Sequence, residues 1–364
     1  MSGTPTSRTR RLGAGAAALA VGFGSIFLVL DSPILQSAAA GLVLFLGVLA
    51  AFVIAVRAGL HRRPDFLAIW VAAAFAFAVA SVVSGFFNGL TDEPYGTPAF
   101  VRLFPNLYGH PLTMVYYQYG SGPNPLDVSY IYLPLLTLVQ VPGLDYRWVA
   151  LAAWGLMVLL LRRNGPAVVL LGSPWSALLA GNGFNDPVPL LFLTLAFVLP
   201  AGARSRAAEV VALGLKQFAN AIVVGYHLWR REWREALLAV GITAAFLVPF
   251  AVLDLSGVVC HALLLDPSPA CGSGQSTGFA EGILGHLNYF VYVLWILGVL
   301  GPGYVARLRG PEYAPERARL AASHPPPPGP DGAPTVPDRW LVVLPFLRLR
   351  NRLARRSGGP PADP

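Results

Sequence analysis

Thr91-Asp92-Glu93-Pro94-Tyr95 follows closely on an apolar run at 67–87, and the chain turns apolar again only at Tyr130-Ile131-Tyr132-Leu133-Pro134. Two neighbouring carboxylates at the end of a bilayer-length segment are costly to hold unless something uses them. The interval 88–128 therefore reads as a polar loop that interrupts a membrane-embedded chain. The remaining segments read as its scaffold.

Composition agrees. Of 364 residues, 55% are hydrophobic and only 12% charged, against about 25% charged in a soluble domain. The formal charge of +8 is carried almost entirely by arginines at loop ends and near the C-terminus. That distribution is what the positive-inside rule produces, and it excludes nucleic acid as the expected partner. Membrane lipids are the expected surroundings, and a multi-pass protein of the cell membrane is the expected location. The first apolar segment follows Arg8, Arg10 and Arg11 without a small-residue cleavage site, which marks an uncleaved first span.

Runs of spanning length lie at 13–30, 34–56 and 67–87. Arginines precede the first, and Arg57, Arg62 and Arg63 separate the second from the third, which places loop 88–128 outside. Segment 129–141 is too short to span and reads as re-entrant or interfacial; 147–161 reads as the crossing that brings Arg162 and Arg163 inside. Segments 166–180 and 186–202 follow, with the turn Gly181-Asn182-Gly183-Phe184-Asn185-Asp186 between them on the outer face. Arginines flank 207–229 at both ends, so this stretch reads as two short helices dipping in and out, with Gly214-Leu215-Lys216-Gln217 near the far tip. Broken helices are tolerated at depth where they line an enclosed or watery cavity. Spans at 235–255 and 285–306 complete an all-α bundle of about 8–10 crossings. The expected domains are thus a transmembrane domain over 1–306 and a basic, Pro/Gly-rich, largely disordered cytoplasmic tail over 307–364. Its apolar patch Trp340–Leu347 is too short to span and suits the interface. No internal repeat is visible.

Several residues could carry chemistry. Asp92 or Glu93 could serve as general base on a hydroxyl; the bland alternative is a solvated acid pair beside a proline turn. Lys216 is the only lysine in the chain and sits in an apolar segment. A phosphate or carboxylate would pair it, whereas a snorkelling lysine would need neither. In the Gly181–Asp186 turn, Asn185 or Asp186 could cap the following helix, with Pro187 at its first position. Asn182, Asn185 and Asp186 could equally bind sugar hydroxyls or phosphate. Tyr95, Tyr130 and Tyr132 suit sugar stacking or an interfacial aromatic belt. Arg102 and His110 are candidate phosphate contacts. His261 and His286 have no partner at ligand spacing, so no dedicated metal site is expected, although Asp92 or Glu93 leaves room for a divalent cation. The two cysteines, Cys260 and Cys271, could be bridged or free.

Taken together, Thr91-Asp92-Glu93 after a span, a long exterior loop, the Tyr130–Pro134 re-entry, the Gly181–Asp186 turn and Gly214-Leu215-Lys216-Gln217-Phe218 resemble multi-pass glycosyltransferases of the GT-C fold. The resemblance covers 67–250 and is closest to the mannosyltransferase-like branch. It implies inverting transfer of a sugar from a polyprenyl- or dolichyl-phosphate donor to a lipid-linked or glycan acceptor at the outer face, in building the cell envelope, with no cofactor. Asp92 would map to the acceptor-activating carboxylate and Lys216 to a basic residue that meets the donor phosphate. Two apolar segments more than usual precede the acidic loop, and Tyr108-Gly109-His110-Pro111 stands where the family has Gly-X-Asn-Pro-Tyr. The rival expectation is a transporter or flippase of lipid-linked or anionic substrates that uses Lys216 and Asp186 as midplane charges.

Overall fold

The computed structural model describes residues 5–30, 38–84, 103–109, 112–117, 123–128, 130–139, 145–264, 289–323 and 344–345. These divide into two compact units, Met1–Gly298 and Val299–Pro364.

The first unit is helical. It opens with α1 (Pro5–Leu30), α2 (Ala38–Arg57) and α3 (Pro64–Ser84). Small residues bring these helices close: a Cβ on Gly22 would stand 2.6 Å from the Trp70 ring, and one on Gly47 would collide with Ser25. Within a membrane, such close approach replaces the hydrophobic drive that helices lose in lipid. Within the polar loop lies an antiparallel hairpin of β1 (Leu112–Tyr117) and β2 (Pro123–Val128), registered Leu112 against Val128. That hairpin is a local feature of the loop; the rest of the described unit is helical, as the all-α expectation has it. It escapes a reading by propensity because Pro123 and Pro125 stand in the second strand, where proline is normally confined to edges.

Irregular residues 130–133, the last of them extended, lead into a 3₁₀ turn, Pro134–Leu138, so the described part of the short apolar segment is no crossing helix. Next come α4 (Tyr146–Leu160), α5 (Gly165–Leu171), α6 (Pro174–Gly181) and α7 (Pro187–Val198). The stretch expected as one segment at 166–180 is thus two helices. Gly172 ends the first and Ser173 caps the second through its hydroxyl, with Pro174 at the first position.

Val149 and Ala153 of early α4 share an apolar cluster with Val188 of early α7. Both helices therefore run the same way and deliver Arg162-Arg163 and Arg204 to one end. The Arg62 turn joins that end, because the Gly165 backbone abuts the His61 carbonyl so closely that a Cβ would collide with it.

Segment 203–230 breaks where the sequence places its tip. Helix α8 (Ala203–Leu215) stops at Lys216, which is extended (φ −153°, ψ 143°), and α9 (Gln217–Arg230) restarts immediately. Asn220 offsets part of the cost of the break by donating to the Leu213 carbonyl at 2.8 Å. At the other end, His227 meets Glu209 at 3.5 Å and Arg206 meets Glu235 of α10 (Trp233–Ala251) at 2.8 Å. The pair is thus a broken helical hairpin whose two outer ends are stapled by charge.

Among the described residues, Pro64–Ser84, Trp233–Ala251 and Phe290–Arg309 are three helices long and apolar enough to cross a membrane. The chain is a membrane protein on that evidence. Cys260 lies in a buried π-helical turn, Val258–Leu263, and is disulfide-bonded; the chain's other cysteine, Cys271, is outside the described residues.

In the second unit, helix α11 (Gly301–Arg309) is followed by a 3₁₀ turn and by α12 (Ala314–Ser323), and Leu308, Leu320 and Leu344 form a small apolar cluster; of the expected tail, 324–343 and 346–364 lie outside the described residues. Arg317 donates to the Leu308 and Gly310 carbonyls at 2.6 and 2.8 Å, which finishes the exposed end of α11.

Candidate functional site

The interruption at Lys216 lets its side chain leave the α8–α9 hairpin and enter the α6–α7 turn. Its Nζ donates to Asp186 Oδ1 at 2.5 Å and to Asn185 Oδ1 at 2.7 Å. Lys216 is 1% exposed and Asp186 0%. The Tyr132 ring covers the ammonium at 4.8 Å from its centroid. So the solitary lysine does not snorkel: a carboxylate, an amide and an aromatic face together compensate its charge.

The turn is built for this. Gly183 takes a left-handed conformation (φ 74°), which reverses the chain after α6 without a Cβ penalty. Pro187 starts α7 at its first position. Asp186 holds the N-cap position, yet its side chain makes no capping bond; the ion pair takes it instead. Its Oδ2 is buried with no hydrogen-bond partner among the described residues. Asn182 is drawn toward α3 by a 3.4 Å bond from Ser81 Oγ.

Gln217 supplies the joint that sequence reading passed over. Its Nε2 donates to the Ile131 carbonyl at 2.7 Å and to the Ala262 carbonyl at 2.8 Å. One amide thereby ties the helix break to the segment that precedes the Pro134 turn and to the turn that carries Cys260. Its position beside the only lysine was the available signal. Tyr108 donates to the Tyr132 carbonyl at 2.8 Å and Tyr130 to the Leu133 carbonyl at 2.9 Å. Burial pushes the Tyr108 phenol well above the usual tyrosine range, so it acts as a neutral donor.

Lys216, Asp186, Asn185 and Tyr132 thus form one cluster. Tyr130 stands edge-on to Tyr132 at 6.3 Å, and Asn182 lies on the same turn, bonded outward to α3. Asp92, Glu93, Tyr95, Arg102 and His110 lie outside the described residues. Among the described residues, no group of three or more His, Cys, Asp or Glu side chains is placed to hold a metal ion. No family model matches the chain, and neither a curated protein nor a solved structure matches it.

Proposed function

We propose that the chain is a membrane glycosyltransferase that moves a sugar from a polyprenyl- or dolichyl-phosphate donor to a lipid-linked or glycan acceptor. The observation that carries this reading is the buried Lys216–Asp186–Asn185 cluster at a helix break, under the segment that re-enters from the acidic loop. Charged groups in a bilayer-embedded core are expensive, and they are held where a polar or charged substrate must be met. The GT-C resemblance supplies the reaction class.

In that reaction the acceptor hydroxyl attacks the anomeric carbon and gives its proton to Asp92 or Glu93. The bond from that carbon to the carrier phosphate breaks, and configuration inverts. Negative charge grows on the departing phosphate. Lys216 spends two of its three N–H donors on Asp186 and Asn185; the third is what it can offer that oxygen, in surroundings that strengthen the interaction. Asp186 holds the ammonium in place and limits the cost of its burial. Tyr130 and Tyr132 offer faces on which a sugar stacks.

One finding favours the rival reading of a transporter or flippase: the two charges face each other in the interior, where a carrier would hold an anionic substrate. Product formation separates the two. Membranes containing the chain, given polyprenyl-phosphate-linked sugars, should yield a new glycosylated lipid or glycan by mass spectrometry. Asp92→Asn should abolish it with expression intact, and Lys216→Met should weaken donor use. Translocation of substrate with no covalent product would establish the rival; normal turnover by Asp92→Asn would remove Asp92 as the base.

A further inference from the structure

We infer that the turn joining α9 to α10 is a binding surface for the phosphate headgroups of anionic phospholipids. Helix α10 is one of the three described helices able to cross a membrane and begins at Trp233, so this turn lies where headgroups lie. Two indoles bracket it, Trp229 at 42% and Trp233 at 63% exposed. Indole rings favour that depth, with an apolar body toward the chains and an N–H toward the headgroups.

Charge on the turn is sorted. Glu232 is taken by Arg230 at 2.8 Å and by His227 at 2.9 Å. Glu235 is taken by Arg206 at 2.8 Å. Arg231 and Arg234 are exposed and make no ion pair among the described residues. Both acids that could neutralise them are already engaged, so the turn presents two uncompensated guanidiniums beside two indoles. Guanidinium geometry matches phosphate in a bidentate way.

Arg231 adds an independent sign. It adopts the left-handed conformation (φ 63°, ψ 27°) that closes α9, and its N–H bonds back to Leu228. Helix ends of this kind ordinarily select glycine. An arginine here sacrifices backbone comfort for a charged side chain at the headgroup level.

The test uses the full chain in nanodiscs holding equal phosphatidylcholine and phosphatidylglycerol, with retained lipids counted by native mass spectrometry. The unaltered chain should retain phosphatidylglycerol preferentially. Each basic residue near a membrane surface changes such a preference roughly fivefold, so Arg231→Gly with Arg234→Gln should lower it about thirtyfold. Arg231→Gly alone should lower it about fivefold while its melting temperature stays equal or rises, since glycine suits the backbone there. A merely structural arginine would show the opposite: lower stability and unchanged lipid selectivity. Should the double variant fail to insert, Arg231→Gly and the salt response of the unaltered chain decide. Equal retention of both lipids, or a preference that survives both Arg231→Gly and roughly 0.5 M salt, overturns the inference. Capture of acidic protein in place of lipid overturns it as well.

Discussion

At the scale of single residues, the Lys216–Asp186 pair sets the strongest demand on the fold. Its members stand 30 positions apart and are sealed from solvent. Removing one partner of such a pair costs more than the pair contributes, because an uncompensated charge stays behind. Asp186→Ala should therefore destabilise the chain by about 3–5 kcal/mol, read as a fall in melting temperature in detergent. Asp186→Leu combined with Lys216→Met should recover most of that loss and still be inactive in transfer. The two readouts separate the structural contribution of the pair from its chemical one. An Asp186→Ala chain that melts like the unaltered protein would mean that the ammonium has found another anion or lost its charge. The lone lysine was legible in the sequence as an anomaly. Its partner was ambiguous, because Asp186 followed by Pro187 also reads as a helix cap, and only the tertiary path of the turn decides between cap and counter-ion.

At the scale of elements, breaks and starts are written in short-range chemistry with uneven clarity. The break at Lys216 was legible because arginines bound 207–229 on both sides. The break at 172–174 was obscured by its apolar surroundings, although Ser173-Pro174 is a start signal. Hairpin β1–β2 was hidden by prolines and by the polarity of the loop that holds it. Helix α4 begins more plainly. Asp145 accepts from the Arg147 backbone N–H at 2.9 Å and from its guanidinium at 2.6 Å. Partial burial works to raise the Asp145 pKa, but these bonds and the attraction of Arg147 outweigh it and hold the carboxylate below its ordinary value. A folded pKa below the unfolded one means that the unfolded chain binds the proton more readily. The cap's contribution is then complete above the unfolded value of about 3.9 and is lost as pH falls through the lower, folded value. Asp145→Ala should cost about 1 kcal/mol at neutral pH. Melting curves of both chains should converge once the pH is below the folded value; a gap that persists there would assign the effect to something other than the carboxylate's charge.

At the scale of the whole first unit, the arrangement of arginines becomes a statement about orientation. Helices α4 and α7 run parallel and end at Arg162-Arg163 and Arg204, with the Arg62 turn against Gly165. At the opposite end of α8, Leu215 packs in one cluster with Leu103, Leu107 and Tyr130. Thirteen helical residues separate these ends, about 20 Å at 1.5 Å each. A chain inserted by the positive-inside rule would keep the arginine end in the cytoplasm. The Leu103–Gly109 segment, and with it the side of the first unit that holds the polar cluster, would then face outward, where lipid-linked sugars are used in the proposed reaction. Two single-cysteine chains test this with a maleimide that cannot cross membranes. On intact cells, Asn106→Cys should be labelled and Arg204→Cys should be silent until the membrane is opened. Labelling of Arg204→Cys from outside would invert the protein. The side that holds the cluster would then face the cytoplasm, a donor on the outer leaflet would be out of reach, and the glycosyltransferase reading would have to take its substrate from the inner leaflet.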